Sequence, residues 1–188
     1  MNLKFNVLTG KIIPVIRYDN MKLLFDTGAS TPVWCYDVDS FKRKFPEARK
    51  MDYRFLLTGF GRSETELVRF LKNPDNNSAR DYFADVYNIP EFIMKTDEGC
   101  IVWKGLNVAV TNRRFSGVHM ILPYTMFGGM SLKFNQNTVN PEIVIESPKN
   151  TKYTFVTLNN NFSKKVLQYI YVQKDEPGQG LTKVMDIF

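Results

Sequence analysis

Short apolar runs separated by turn residues constrain the fold of this chain more than any other feature. Residues 21–25, 100–103 and 106–111 are examples, and Asp19 with Asn20 supplies turn chemistry between two such runs. Few stretches have the apolar spacing of a helix. Many short strands at close spacing with few helices predict an all-β fold, either a small closed barrel or a sandwich.

One segment has a clear helical pattern. Phe41 and Phe45 lie four residues apart with basic residues between them, so that both rings fall on one helix face. Residues 39–48 are therefore predicted to form a helix. Asp39 or Ser40 is the expected N-cap, because either side chain can accept a hydrogen bond from the first turn.

Other local patterns are shorter. Residues 124–129 are expected to hold one helical turn before two glycines. Residues 63–71 fit a helix that begins with a capping box, and they also fit an alternating strand, so both interpretations stay open. Residues 143–145 and 153–158 are expected to form a late hairpin pair.

Length and charge limit the classes of function. The 188 residues suit a single domain, or one domain with an appendage. With 25 basic and 19 acidic residues the net charge is +6, but it is spread along the chain, so no nucleic-acid partner is expected. No apolar run is long enough for a membrane-spanning helix, and residues 1–6 lack the layout of a signal peptide.

The few cysteine and histidine residues narrow the chemistry further. Cys35 and Cys100 cannot build a disulfide framework, and we expect them to be reduced core thiols, as is usual in a cytoplasmic protein. His119 is the single histidine, so neither a histidine-rich zinc site nor an obvious Ser-His or Cys-His pair is available. Its apolar neighbours predict a half-buried structural side chain.

The most informative segment is an apolar strand that ends in a carboxylate and a glycine turn. Leu23, Leu24 and Phe25 precede Asp26, and Thr27-Gly28-Ala29-Ser30 follows it. Apolar walls would keep the dielectric around the carboxylate low, and Gly28 lets the backbone turn tightly. This Asp-Thr-Gly-Ala-Ser segment resembles the active-site motif of aspartic proteases, and of the retropepsin branch in particular.

The resemblance implies a closed, acid-protease type of barrel with one or two short helices. Thr58-Gly59-Phe60-Gly61 lies where a retropepsin-like chain has its flap, so Gly59, Phe60 and Gly61 are the implied substrate-covering residues. Residues 121–127 lie where an apolar pair and a glycine lead into a short helix, although Pro123 replaces that glycine. Residues 1–135 would be the protease domain, with an insertion near 67–85, and residues 136–188 a C-terminal β extension and tail.

The resemblance also implies a mechanism that needs two aspartates. Two carboxylates share one proton and activate a water, without metal, cofactor or covalent intermediate. Asp26 is the only aspartate followed by Thr-Gly or Ser-Gly, so the second must come from another copy of the chain. Thr27 would lock the two loops together, and Gly28 and Ser30 would line the cleft for a polypeptide substrate. Residues before Lys11 and residues 166–172 are the candidate strands for pairing across that homodimer.

Two alternatives remain at this stage. A retropepsin-like fold can lose proteolysis and serve as a dimeric β module that binds a peptide or protein. Asp37 and Asp39, in an Asp-x-Asp after an apolar strand, are similar to the nucleophile loop of haloacid-dehalogenase-type phosphatases. That chemistry needs Mg²⁺ and a parallel α/β sheet, which the pattern of strands does not favour, and a helix-capping role fits these residues better.

Overall fold

The computed structural model describes residues 2–8, 14–57, 69, 72, 83–136, 139–146, 153–157, 170–172 and 182–183. Thirteen strands are described within these ranges: β1 Asn2–Asn6, β2 Val15–Tyr18, β3 Met21–Asp26, β4 Val33–Trp34, β5 Arg49–Leu56, β6 Phe83–Thr96, β7 Gly99–Val110, β8 Met120–Pro123, β9 Ser131–Asn135, β10 Glu142–Glu146, β11 Tyr153–Thr157, β12 Ile170–Val172 and β13 Thr182–Lys183. An α-helix, α1, covers Val38–Lys44, and a 3₁₀ turn, η1, covers Tyr124–Phe127. The prediction of a mostly β chain with little helix is confirmed.

The strands form two sheets, and the predicted closed barrel is wrong. A small antiparallel sheet has the order β1-β10-β9, and a ten-stranded sheet follows the path β13-β12-β5-β6-β7-β4-β8-β3-β2. No pairing joins β13 to β2 within the described residues, so the large sheet stays open at its ends. It branches instead, because one edge of β7 is shared by β4 at one end and β11 at the other.

Local turn chemistry fixes the hairpins of the large sheet. Asp19 and Asn20 both have positive φ angles, 45° and 61°, in the two-residue turn between β2 and β3. Asparagine and aspartate tolerate this conformation, which matches the twist of a hairpin.

The strands predicted at 100–103 and 106–111 are one strand, β7, because Gly105 carries the chain through a φ of 66° without ending the pairing with β6.

Long-range pairing departs from the expected late hairpin. Ile143, Val144 and Ile145 belong to β10, which lies between β1 and β9 in the small sheet. β11 instead runs parallel to β7 in the large sheet. The two segments follow each other in sequence, but their partners are distant, so the predicted pairing between them is wrong.

Apolar side chains are buried on both faces of the large sheet. One core cluster lies between the two sheets and includes Leu3, Trp34, Trp103 and Ile143, all at most 1% exposed. A second cluster, which includes Leu24, lies on the opposite face. Adjacent β3 residues therefore point into different cores, as expected for a strand buried on both faces.

Helix α1 is capped two residues before Asp39, the earlier of the two expected N-caps, and it ends at Lys44 rather than at residue 48. Asp37 is the N-cap, because its carboxylate accepts the Ser40 N–H at 2.6 Å, whereas Asp39 lies inside the first turn. This hydrogen bond lowers the pKa of Asp37. Phe41 anchors the helix, since it is fully buried and its ring meets Trp34 edge-on at 5.6 Å.

Replacing Phe41 with Ala tests this anchor. We expect Phe41→Ala to lower the free energy of unfolding by about 3–5 kcal/mol, through lost burial and the cavity left behind. The exposed neighbour supplies the control, because Lys42→Ala should change it by less than about 0.5 kcal/mol. Urea denaturation measures both variants, and a loss below about 1 kcal/mol for Phe41→Ala would contradict the packing.

Candidate functional site

Asp26 is the last residue of β3, at the edge where the strand leaves the core. Leu23, Leu24 and Phe25 before it are at most 3% exposed, whereas the Asp26 side chain is half-buried. Its backbone lies in register with Pro123 of β8, a parallel neighbour. The carboxylate therefore lies at the boundary between an apolar interior and an open surface.

The glycine turn holds the carboxylate from the other side. The Asp26 Oδ1 atom accepts the Gly28 N–H at 2.8 Å, and the Asp26 carbonyl accepts the Ala29 N–H at 3.3 Å. A Cβ at position 28 would lie 3.3 Å from that same Oδ1 atom. Glycine thus lets the backbone approach the carboxylate closely, and the sequence-based argument for a small residue at this position has a geometric basis.

A side chain from η1 braces the same turn. Thr125 donates its hydroxyl hydrogen to the Ser30 carbonyl at 3.2 Å. Residues 30 and 125 meet because β3 and β8 end side by side, which brings the two following turns together. The sequence analysis did not identify Thr125 as part of the site. The sequence offers one indication, a hydroxyl side chain two positions after the strand that ends at Pro123.

An open, mainly apolar groove of about 1010 Å³ lies beside the turn. Thr27 and Ser30 form one wall, and η1, the two following glycines and β9 form the rest. Its lining residues are Thr27, Ser30, Tyr124, Thr125, Phe127, Gly128, Gly129, Met130, Leu132 and Phe134. Tyr124 stands out, since this large ring is 57% exposed. The motif residues thus adjoin a surface that could receive an apolar ligand or a second chain.

Pro123 occupies its position without backbone strain. It is buried, and its φ of −75° and ψ of 152° are extended values that proline adopts readily. No positive φ is required there, so the strand end accommodates proline where the resemblance led us to expect glycine.

The remaining candidate residues lie either outside the described part of the chain or in the buried core. Gly59, Phe60 and Gly61, the proposed flap, lie outside the described residues, as does most of the expected insertion near 67–85. Cys35 and Cys100 are free and buried, as predicted. Burial raises the pKa of Cys35 to about 12, so its thiol is protonated and unreactive near neutral pH.

Metal-ligating clusters and membrane-spanning helices are both lacking in the described part of the chain. No cluster of three or more histidine, cysteine, aspartate or glutamate side chains there could hold a metal ion. No helix in that part of the chain is long and apolar enough to cross a membrane. We also compared the chain with protein-family models, curated proteins and solved structures, and none of these comparisons found a match.

Removing the brace tests how much it holds the turn. Thr125→Val keeps the shape of the side chain but removes the hydroxyl, and we expect a loss of about 0.5–1.5 kcal/mol in unfolding free energy with faster amide exchange across residues 28–31. Thr125→Ser retains the donor and should remain close to the parent. Equal stability and exchange in all three proteins would show that the hydrogen bond does not restrain the turn.

Proposed function

We propose that the chain is an aspartic endopeptidase of retropepsin-like form, active as a homodimer. The observation that carries the proposal is the Asp26 turn. A carboxylate at the end of a buried strand accepts the N–H of Gly28, the turn is exposed, and a groove opens beside it. The resemblance of residues 26–30 to the retropepsin motif supplies the chemistry for this geometry.

The reaction would need two Asp26 carboxylates with one proton between them. The ionised carboxylate takes a proton from a water, the water oxygen attacks the peptide carbonyl, and the protonated partner donates to the developing oxygen. One proton then passes to the leaving amine as the tetrahedral intermediate collapses to acid and amine. Like charges so close cannot both be ionised, which keeps one acid and one base available.

The groove is the reason for proposing that a second copy of the chain supplies the other carboxylate. Thr27 and Ser30 lie on its wall, so a partner seated there would place its own turn near Asp26. The exposed Tyr124 ring is the kind of aromatic anchor that interfaces favour. Residues 170–172 are less suitable than the sequence indicated, because β12 already pairs with β5 and β13.

A polypeptide in extended conformation is the proposed substrate. Extended peptides bind through main-chain hydrogen bonds, and pockets for alternate side chains give the specificity. Residues 59–61 remain the predicted cover, and exclusion of water by such a cover would strengthen the electrostatics of the pair. No cofactor or nucleic acid enters this mechanism.

Substitution of the proposed catalytic residue tests the activity. Asp26→Asn retains an oxygen for the Gly28 N–H but cannot share a proton, so cleavage of an unstructured protein should fall by about 10²–10⁴-fold. Asp39→Asn, on the exposed first turn of α1, should cleave normally. Activity is measured across acid to neutral pH, with and without a statine-type inhibitor.

The outcome separates the protease from the binding module. Unchanged, inhibitor-insensitive cleavage by both variants would identify a contaminant and contradict the assignment. If the parent chain does not cleave unstructured peptides but binds them, and Asp26→Asn binds them equally, the inactive dimeric module is favoured.

The proposed interface has its own test. Tyr124→Lys places a charge in the apolar groove, and we expect it to shift the chain from dimer to monomer in sedimentation and to lower specific activity. Val139→Lys is the matched control, because Val139 is 97% exposed and outside the groove lining. Dimerisation unaffected by Tyr124→Lys would exclude the groove as the interface.

A further inference from the structure

His119 joins three segments of the large sheet through its backbone and its ring. Its Nδ1 atom accepts the backbone N–H of Lys22 at 3.0 Å, and its own N–H donates to the Lys22 carbonyl at 2.9 Å. Its carbonyl accepts the Cys35 N–H at 2.9 Å. The residue thus ties the start of β3 to the end of β4, immediately before β8 begins at Met120.

The ring is also held by its neighbours. Tyr36 stacks on it at 4.5 Å between centroids with a 21° interplanar angle, and Trp34 meets it edge-on at 5.8 Å. The Arg114 guanidinium lies over the Tyr36 ring. These contacts hold the plane of the ring. A half-turn within that plane would exchange Nδ1 for the carbon Cδ2, so rotation of the ring cannot restore an acceptor for the Lys22 N–H after protonation.

The hydrogen bond requires the neutral imidazole. An Nδ1 atom that accepts the Lys22 N–H carries no hydrogen, so the ring proton is on Nε2. Protonation would place an N–H against the N–H of Lys22 and remove the acceptor. The bond that links β3 to residue 119 would then be lost.

The surrounding charges mostly oppose a cation at this position. Burial lowers the pKa of His119 most, and the ammonium groups of Lys22 on β3 and Lys44 on α1 lower it further. Asp37 at the start of α1 acts in the opposite direction. Lys44 is itself paired with Asp19 of the β2–β3 turn at 2.6 Å, so α1 and the hairpin both contribute to the environment of the ring.

We propose that His119 is a pH-sensitive latch for the strand that carries Asp26, closed while the imidazole is neutral and released when it is protonated. Lys22 lies four residues before Asp26 on the same strand, so the latch holds β3 at the end opposite to the glycine turn. Its effect on peptide cleavage rests on the proposed function, whereas its effect on the strand does not.

The sign of the pH effect follows from linkage. The native state holds the pKa of His119 below its usual value, so between the two values the unfolded chain binds a proton that the native chain does not. Stability from the latch is complete above about pH 6.5, the unperturbed value. It is lost as the pH falls toward the native pKa, and it levels off below that value.

The first experiment uses the single histidine as a probe in the full chain. Its C2 proton and the Lys22 amide are followed by NMR from pH 8 to pH 4. We expect one midpoint for both signals, below about 6.5, with the Nε2–H tautomer above it. A Lys22 amide that does not follow the imidazole, or a midpoint above 6.5, would overturn the latch.

Two substitutions separate the acceptor from the ring. His119→Asn keeps an oxygen near the Nδ1 position but does not titrate, and His119→Phe keeps an aromatic ring but offers no acceptor. Between pH 7 and pH 5 we expect the melting temperature of the parent to fall by about 2–4 °C more than that of His119→Asn. Because His119→Phe offers no acceptor at any pH, it should lack the stabilisation from the latch at pH 7 as well as at pH 5.

The pH profile of cleavage completes the test. The parent should lose activity on the acid side at a higher pH than His119→Asn. Parallel stability curves for parent and His119→Asn would exclude the latch. If neither protein cleaves peptide, the proposed function fails, while the NMR midpoint and the stability curves still decide whether the latch exists.

Discussion

The parallel pairing of β3 with β8 is the constraint on which the rest of the site depends. Because Asp26 lies in register with Pro123, the two strands end together at one edge of the large sheet. The glycine turn and η1 leave that edge side by side. This proximity produces the hydrogen bond from Thr125 to Ser30 and the groove beside them.

The same pairing explains why the proposed site and the proposed latch act on one strand. β3 is held at Lys22 by His119 and at Asp26 by the turn, with buried leucines between the two ends. Close-packed interiors have low compressibility and transmit strain, so a short strand that is buried on both faces shifts as one unit. Anchorage at one end therefore affects the placement of the carboxylate at the other.

Local signals in the sequence predicted several elements correctly. The apolar run before Asp26, the turn at Asp19 and Asn20 and the helical turn after Pro123 each depend on neighbouring residues, and each is present. The closed barrel was wrong because closure depends on which distant strands pair. Nothing local shows that β11 lies along β7 or that β10 joins β1.

The same contrast between local and long-range signals explains why only part of the candidate site could be predicted from the sequence. Asp26 to Ser30 form a contiguous motif, so the chemistry they suggest could be argued from the sequence. Thr125 and the ring of Tyr124 are about a hundred residues away, and a long-range register brings them to the turn. The N-cap of α1 was expected at Asp39 or Ser40 and is Asp37, because several neighbouring side chains could each cap this helix.

Because each chain carries one Asp26, dimers that mix parent and variant chains reveal whether the two carboxylates act together. Parent and Asp26→Asn chains are mixed, allowed to exchange, and assayed for peptide cleavage at constant total concentration. A shared site in a twofold dimer predicts activity that falls as the square of the parent fraction, to about a quarter in an equal mixture. A linear decrease, to about a half, would show that each chain cleaves alone and would contradict the paired-carboxylate mechanism.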